Sequence, residues 1–263
     1  MKYGFLFLHA LLLYVLCLPL KADEHKPTLM YIGIEQQRQP YAWIDKRQKA
    51  QGILVERLRQ VCKKINAQCE FVAGDFYGLV QQIQTYQLHG VLVIDQFVFP
   101  EVDQLSLIAP LCQIEPVIIQ SKAQQKRNKP EDFQRTILGV HQGSLLHFYL
   151  LDHYSSFAQL RPYETLESGI FDLIVGRIDA LVADHAFYQS RVVATGLGAA
   201  HRNPSLVATP IMMEDFSGVS MTLAISKSDE NLFNHLKQSI QTLSHPLQGC
   251  AALVTDGVKT THD

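Results

Sequence analysis

Cys62 and Cys69 stand seven residues apart in CKKINAQCEFV, and Cys112 and Cys250 follow singly. Thiols at such a spacing have three uses: metal ligation, redox chemistry or a covalent staple. Metal ligation is disfavoured, because the gap is too long for a Cys-x-x-Cys knuckle and no second pair follows; a redox pair is disfavoured as well. The local pattern fits a structural bridge. Leu54, Leu58, Val61, Cys62 and Ile65 fall on one face of a helix starting at Ile53, and Cys69-Glu70-Phe71-Val72 reads as a strand turning back along it. A bridge there would close a short loop, worth about 2 to 3 kcal/mol. Cys112 and Cys250 stay open, with a second disulfide between them as the hypothesis. Other chemistry is sparse: there is no Gly-x-Ser-x-Gly elbow and no His-Glu-x-x-His helix, and His141, His147 and His153 lack ligand spacing on one helical face. Neither a metal nor a cofactor is expected.

The compartment is read from the N-terminus. Lys2 precedes an apolar run from Phe5 to Leu20, and Ala22 offers a small residue before a cleavage point. That order is a signal peptide spanning residues 1–22. The alternative, a membrane anchor, meets a run that is slightly short and interrupted by Pro19. Cys17 follows Leu16 rather than the small residue a lipoprotein needs. An exported, periplasmic protein in an oxidising environment is expected. With 23 basic and 25 acidic residues and a net charge of −2, nothing suggests a nucleic-acid partner. The run KAQQKRNKPED, Lys122 to Asp132, has no interleaved aromatic residues and reads as a solvated loop entering a helix at Pro130.

These residues need elements to hold them. Thr28 to Glu35 is an apolar strand, and a turn region with Gly52 at its end leads into the helix from Ile53. The strand at Cys69, a helix from Tyr77 to Gln87 and the strand GVLVID ending at Asp95 follow. Strand, helix, strand, helix, strand implies a parallel sheet with helices on its faces. A second set begins with the strand in RTILGVHQGS, ending near Gly143 with a helix after Ser144. It continues through a helix, the Gly176-Arg177 turn and the strand DALVAD, which closes on Asp184. LIAPLCQIEPVIIQS and LVATPIMMEDFSGVSMTLAIS are extended, as if the chain crossed twice between two lobes. A last helix spans Glu230 to Leu243.

In this order and spacing, CKKINAQCEFV, PEDFQRTILGVHQG, HQGS, GRIDALVAD and SKSDENLFNHLKQSIQTL resemble the periplasmic solute-binding proteins of polar amino acid ABC transporters, bacterial extracellular solute-binding protein family 3. The similarity runs from Thr28 to about Val254 and is strongest to histidine-binding and lysine/arginine/ornithine-binding proteins. It implies an α/β fold of the periplasmic-binding-protein-like type II class, two α/β lobes joined by a two-stranded hinge. Lobe one would take residues 28–113 and 214–263, and lobe two residues 114–213. It also implies a Cys62–Cys69 disulfide, a monomer, and closure on a small polar ligand, an amino acid or related amine, presented to a membrane permease.

Carried over residue by residue, the resemblance places the first-strand acid at Glu35 and the ligand-stacking aromatic at Arg38, which changes that platform. Phe76 is the second aromatic wall. A serine-rich segment becomes Asp95-Gln96-Phe97, and an arginine that grips the ligand carboxylate becomes Val102. Gly143 and Ser144 stand at a helix N-terminus, where backbone N–H groups can hold a carboxylate. Asp184 matches the acid that receives the ligand's ammonium group. The cleft keeps its cation-binding end and loses the main partner of the carboxylate, which points to a ligand whose carboxylate is neutralised or absent. Two other uses of the fold are a ligand-sensing partner of a membrane signalling protein and a cyclohexadienyl-dehydratase-like enzyme with Glu35 or Asp184 beside His141. A non-enzymatic binding protein is the expectation.

Overall fold

A computed structural model of the chain describes residues 27–94, 105–108, 110–124, 127–196, 205–211, 219–242 and 249–255. The expected signal peptide and Asp95, Gln96, Phe97 and Val102 lie outside them. Among the described residues no helix is long and apolar enough to cross a membrane.

The first sheet is built from β1 (Thr28–Glu35), β5 (Ala67–Gly74), β6 (Gly90–Ile94), β7 (Leu105–Leu107), β8 (Cys112–Gln113) and β14 (Ser220–Ser226). Its order is β5-β1-β6-β14-β7, with β8 also pairing β14. β1 is parallel to β5 and β6, and β14 is antiparallel to its neighbours. Helices cover both faces, as parallel pairs require. On one side lie α1 (Ile53–Lys64) and the later helix Glu230–Gln241, with Leu54, Leu58, Val61 and Cys62 packed with Leu236 and Ile240. On the other lies α2 (Phe76–Gln84), through Leu79, Val80 and Ile83. Full burial of each such side chain stabilises by roughly 1.5 to 3 kcal/mol.

The second sheet has β9 (Pro116–Ser121), β10 (Ile137–His141), β11 (Gln159–Tyr163), β12 (Ala180–Asp184) and β13 (Leu206–Pro210), in the order β11-β10-β12-β9-β13. α3 (Leu145–His153) packs Leu146 and Leu150 with Leu138, Val140 and Val182, while α4 (Leu166–Ile174) packs Ile170 and Leu173 with Leu181 and Ile119. After β12 comes a short helix, α5 (His185–Phe187), which runs into a π-helical stretch at Tyr188–Val193. The chain passes between the sheets twice, and the described ends of the second passage bond to the first: Ile114 N–H donates to Val219 O at 2.9 Å and Ile211 N–H to Pro116 O at 3.3 Å. The fold class read from the resemblance is the one observed.

Both disulfides are present. Cys62–Cys69 joins α1 to β5 with Cα atoms 6.0 Å apart, and Cys112–Cys250 joins β8 to the end helix α7 (Cys250–Thr255) at 4.9 Å, α6 being the helix Glu230–Gln241. Three features differ from the sequence reading. The turn region before Gly52 is a small antiparallel sheet of β2 (Gln37–Arg38), β3 (Ala42–Ile44) and β4 (Ala50–Gln51). β11 was not anticipated, being an edge strand with Arg161 and Pro162 at its centre. Pro130–Phe133 is a single tight 3-10 turn, held by Asp132 Oδ2, which accepts from Asn128 and Lys129 N–H.

Candidate functional site

β1 alternates Met30, Ile32 and Ile34 into the core and so delivers Glu35, partly buried, at its C-terminal end. The β2–β3 hairpin follows, and α1 fixes it from below. The first N–H groups of α1, which have no partner within the helix, are those of Ile53 and Leu54. They donate to Pro40 O at 3.1 Å and Tyr41 O at 3.0 Å. Gly52, with φ 126°, permits this approach, since a Cβ there would overlap the Tyr41 carbonyl. Tyr41 is therefore locked by its backbone and only 5% exposed. Arg38 Nε lies 2.5 Å from Glu35 Oε2. Both groups are partly open to water, so the pair adds little stability, but it neutralises this end of the site.

In the second sheet, β10 ends at His141 and the chain turns through Gly143, whose φ is 69°. Ser144 then caps α3: its Oγ donates to His141 O at 2.8 Å and accepts from His147 N–H at 3.1 Å. Gly143 N–H donates to His147 Nδ1 at 3.1 Å and Ser144 N–H to His141 O at 3.3 Å. The two backbone donors expected to meet a carboxylate are thus engaged within the turn. At the end of β12, Asp184 Oδ1 accepts from Phe187 N–H at 2.7 Å and caps α5. Burial pushes the Asp184 carboxyl up, opposed by the Phe187 N–H and the Tyr41 hydroxyl. The Tyr41 hydroxyl is itself held well above its ordinary range, by burial first and then by the negative charge of Asp184. The two groups sense each other across the cleft, although the hydroxyl oxygen meets no partner at full hydrogen-bond geometry.

Between the two sheets lies a cavity of about 800 Å³, bounded by Glu35, Arg38, Tyr41, Trp43 and Phe76 on one side and by His141, Ser144, Glu164, Glu167 and Asp184 on the other. Its size suits a small molecule. Six residues named from the sequence, Glu35, Arg38, Phe76, Gly143, Ser144 and Asp184, line this one cavity. Asp95 and Gln96 lie outside the described residues. Five carboxylates face one arginine: Glu35, Asp75, Glu164, Glu167 and Asp184 against Arg38. Asp75 is partly committed, as the cap that accepts from Gly78 N–H at 2.9 Å. Glu167 is paired with Arg191 Nε at 3.1 Å, and Arg191 also donates to Gln39 Oε1, tying the hairpin of the first sheet to the second. Acids and aromatic faces at the mouth of such a cavity can hold a cation by ion pairing and cation–π contact. Among the described residues no three His, Cys, Asp or Glu side chains gather to hold a metal ion.

Tyr41, Trp43, Glu164 and Glu167 were not singled out from the sequence. The first two carry a faint signal, two aromatics at alternating positions in an otherwise polar stretch. Glu164 directly follows β11 and Glu167 stands in the first turn of α4, so missing that strand hid the edge of the cleft they occupy.

Comparison with known proteins agrees with this architecture. A sequence model for bacterial extracellular solute-binding proteins, family 3, matches residues 30–245. An L-arginine-binding protein of Pseudomonas aeruginosa is 24% identical over 243 residues, covering 90% of this chain and 89% of that protein. A histidine-binding periplasmic protein of Escherichia coli is 19% identical over 216 residues, 81% of each chain. Among solved structures, an ancestral cationic amino acid solute-binding protein superposes with a TM-score of 0.69 at 18% identity, over 87% of this chain and 94% of that one. At that identity the superposition speaks for the fold alone.

Proposed function

Because the chain belongs to the bacterial extracellular solute-binding proteins, family 3, we propose that it is a periplasmic binding protein that closes its two sheets on a cationic amino acid or a related amine and hands it to a membrane permease. The observation that carries this reading is the acidic cavity with walls from both sheets, Glu35 from one and Asp184 from the other. A ligand bonded to both walls favours their approach, and the approached state is what a membrane partner can read. The arginine- and histidine-binding relatives support the same ligand class. Binding without catalysis fits the site: the polar groups of the Ser144 turn are spent on the cap, and Asp184 spends one oxygen on Phe187 N–H.

Arg38 bears on which amine. Arg38 pairs with Glu35 and Arg191 with Glu167, which leaves Asp184 and Glu164 as the acidic end, so the ligand's cation belongs at the second sheet and any anionic group of the ligand on the Arg38 side. The test is a thermal melt of the mature protein, Asp23 to Asp263, against L-arginine, L-lysine, L-histidine, L-glutamine and cadaverine. A ligand at about 100 times its dissociation constant adds about 2.7 kcal/mol to the folded state. A shift with the cationic amino acids is expected, with glutamine weaker; a flat melt across the panel would overturn the reading.

A further inference from the structure

Among the polar residues lining the cavity, Tyr41 alone is buried. Its hydroxyl oxygen is one of the few buried side-chain atoms, among the described residues, with no partner at full hydrogen-bond geometry. A phenolic hydroxyl has one proton to donate and lone pairs to accept with, and leaving it unpaired in a protein interior is costly. The position is not accidental slack. Tyr41 is held by its own carbonyl on Leu54 N–H and by its N–H on Arg38 O at 2.8 Å, so the ring is presented by a rigid frame. The group that acts most on this hydroxyl is Asp184, on the opposite sheet.

We infer that Tyr41 is a positioning residue for Asp184: its O–H serves, across the cleft, the carboxylate oxygen that Phe187 N–H does not hold, and so fixes the carboxylate's orientation toward the ligand's ammonium group. The hydroxyl already acts on the carboxyl in this structure, and a small approach of the two sheets brings the bond to full geometry. Asp184 then has one oxygen anchored by its own helix and the other by the facing sheet, and lone pairs remain on both for the ligand. The inference rests on the proposed reading of the cavity as an amino acid site. The other charged groups facing this pair are Arg38, paired with Glu35 on the hairpin side, and Glu115 from the passage into β9, which lies 3.7 Å from His185 on α5. Arg38 favours an ionised neighbour and Glu115 opposes one.

The Tyr41→Phe variant keeps the ring and removes one oxygen. Calorimetric titration with whichever of L-arginine, L-lysine and L-histidine binds the parent best, repeated from pH 4 to pH 7, compares the two proteins. The expected result is binding weakened about tenfold or more, with the acid limb of the affinity profile moved to higher pH, because Asp184 has lost a donor that favours its charged form. The ligand-free melting temperature should stay or rise, since an unpaired polar atom has gone. Equal affinity and an unmoved acid limb would overturn the inference. So would uniform loss at every pH accompanied by a fall of several degrees in the ligand-free melt, which marks a packing role. A parent that takes up none of the three amino acids overturns the ligand reading, and carbon-13 NMR titration of the Asp184 carboxyl then decides the Tyr41 question alone. A carboxyl that titrates at higher pH in Tyr41→Phe supports it, and one that titrates at the same pH in both proteins overturns it.

Discussion

Asp184 does two jobs that oppose each other. As the cap of α5 it stabilises the second sheet through Phe187 N–H; as a partly buried carboxylate it costs stability when charged, a charge that the proposed function keeps for a ligand. Burial raises its folded value above that of the unfolded chain. The folded state therefore binds the proton more readily, and the contribution of this group is best below the ordinary aspartate range near pH 4. It worsens as pH rises from there through the raised value. Asparagine keeps the capping oxygen and drops the charge. Ligand-free Asp184→Asn should melt above the parent at pH 7, and the gap should close below about pH 4. A variant that melts lower at pH 7 would show that the carboxylate has a fixed cationic partner instead of waiting for one. Ligand binding should show the reverse dependence, failing as acid protonates Asp184 in the parent.

At the scale of elements, the two disulfides do unequal work. Cys62–Cys69 closes a separation of 7 residues within one helix-strand unit, whereas Cys112–Cys250 spans 138 residues and ties α7 to β8. By loop-closure entropy the first is worth about 2.5 kcal/mol and the second about 5 kcal/mol. α7 also packs Cys250 into the same core as Ala186 of α5, so the longer bridge holds a helix that joins the first sheet to the helix following β12. Melts of Cys62→Ala/Cys69→Ala and Cys112→Ala/Cys250→Ala should show the larger loss in the second pair; equal losses would mean that α7 stays docked without its tether. Element legibility in the sequence followed periodicity. β1, α1, β6, β10, β12 and α6 each carry an apolar face long enough to read, and their bounds moved by only a few residues. β2, β3 and β4 are two or three residues long, too short for any period, and β11 is an edge strand with no fully buried residue and Arg161-Pro162 in its middle. The site followed the same rule. Glu35 and Asp184 stand at the ends of legible strands, whereas Tyr41 depends on a hairpin and a glycine contact that only the folded chain reveals.

For the whole molecule, the two sheets share a plan, three parallel strands extended by antiparallel ones, and face each other across the cavity with paired passages behind it. Such an arrangement lets two rigid bodies approach with little internal repacking. Arg191, bonded to both Gln39 and Glu167, already joins the rims. A cation held between the sheets by Asp184 should be seen by calorimetric titration of L-arginine, L-lysine and L-histidine into the parent and into Asp184→Asn at pH 7. At least one should bind the parent, with about hundredfold or greater weakening in the variant, because the ligand's ammonium group is left without its counter-charge. Equal affinity in the two proteins would contradict it and place the ligand elsewhere.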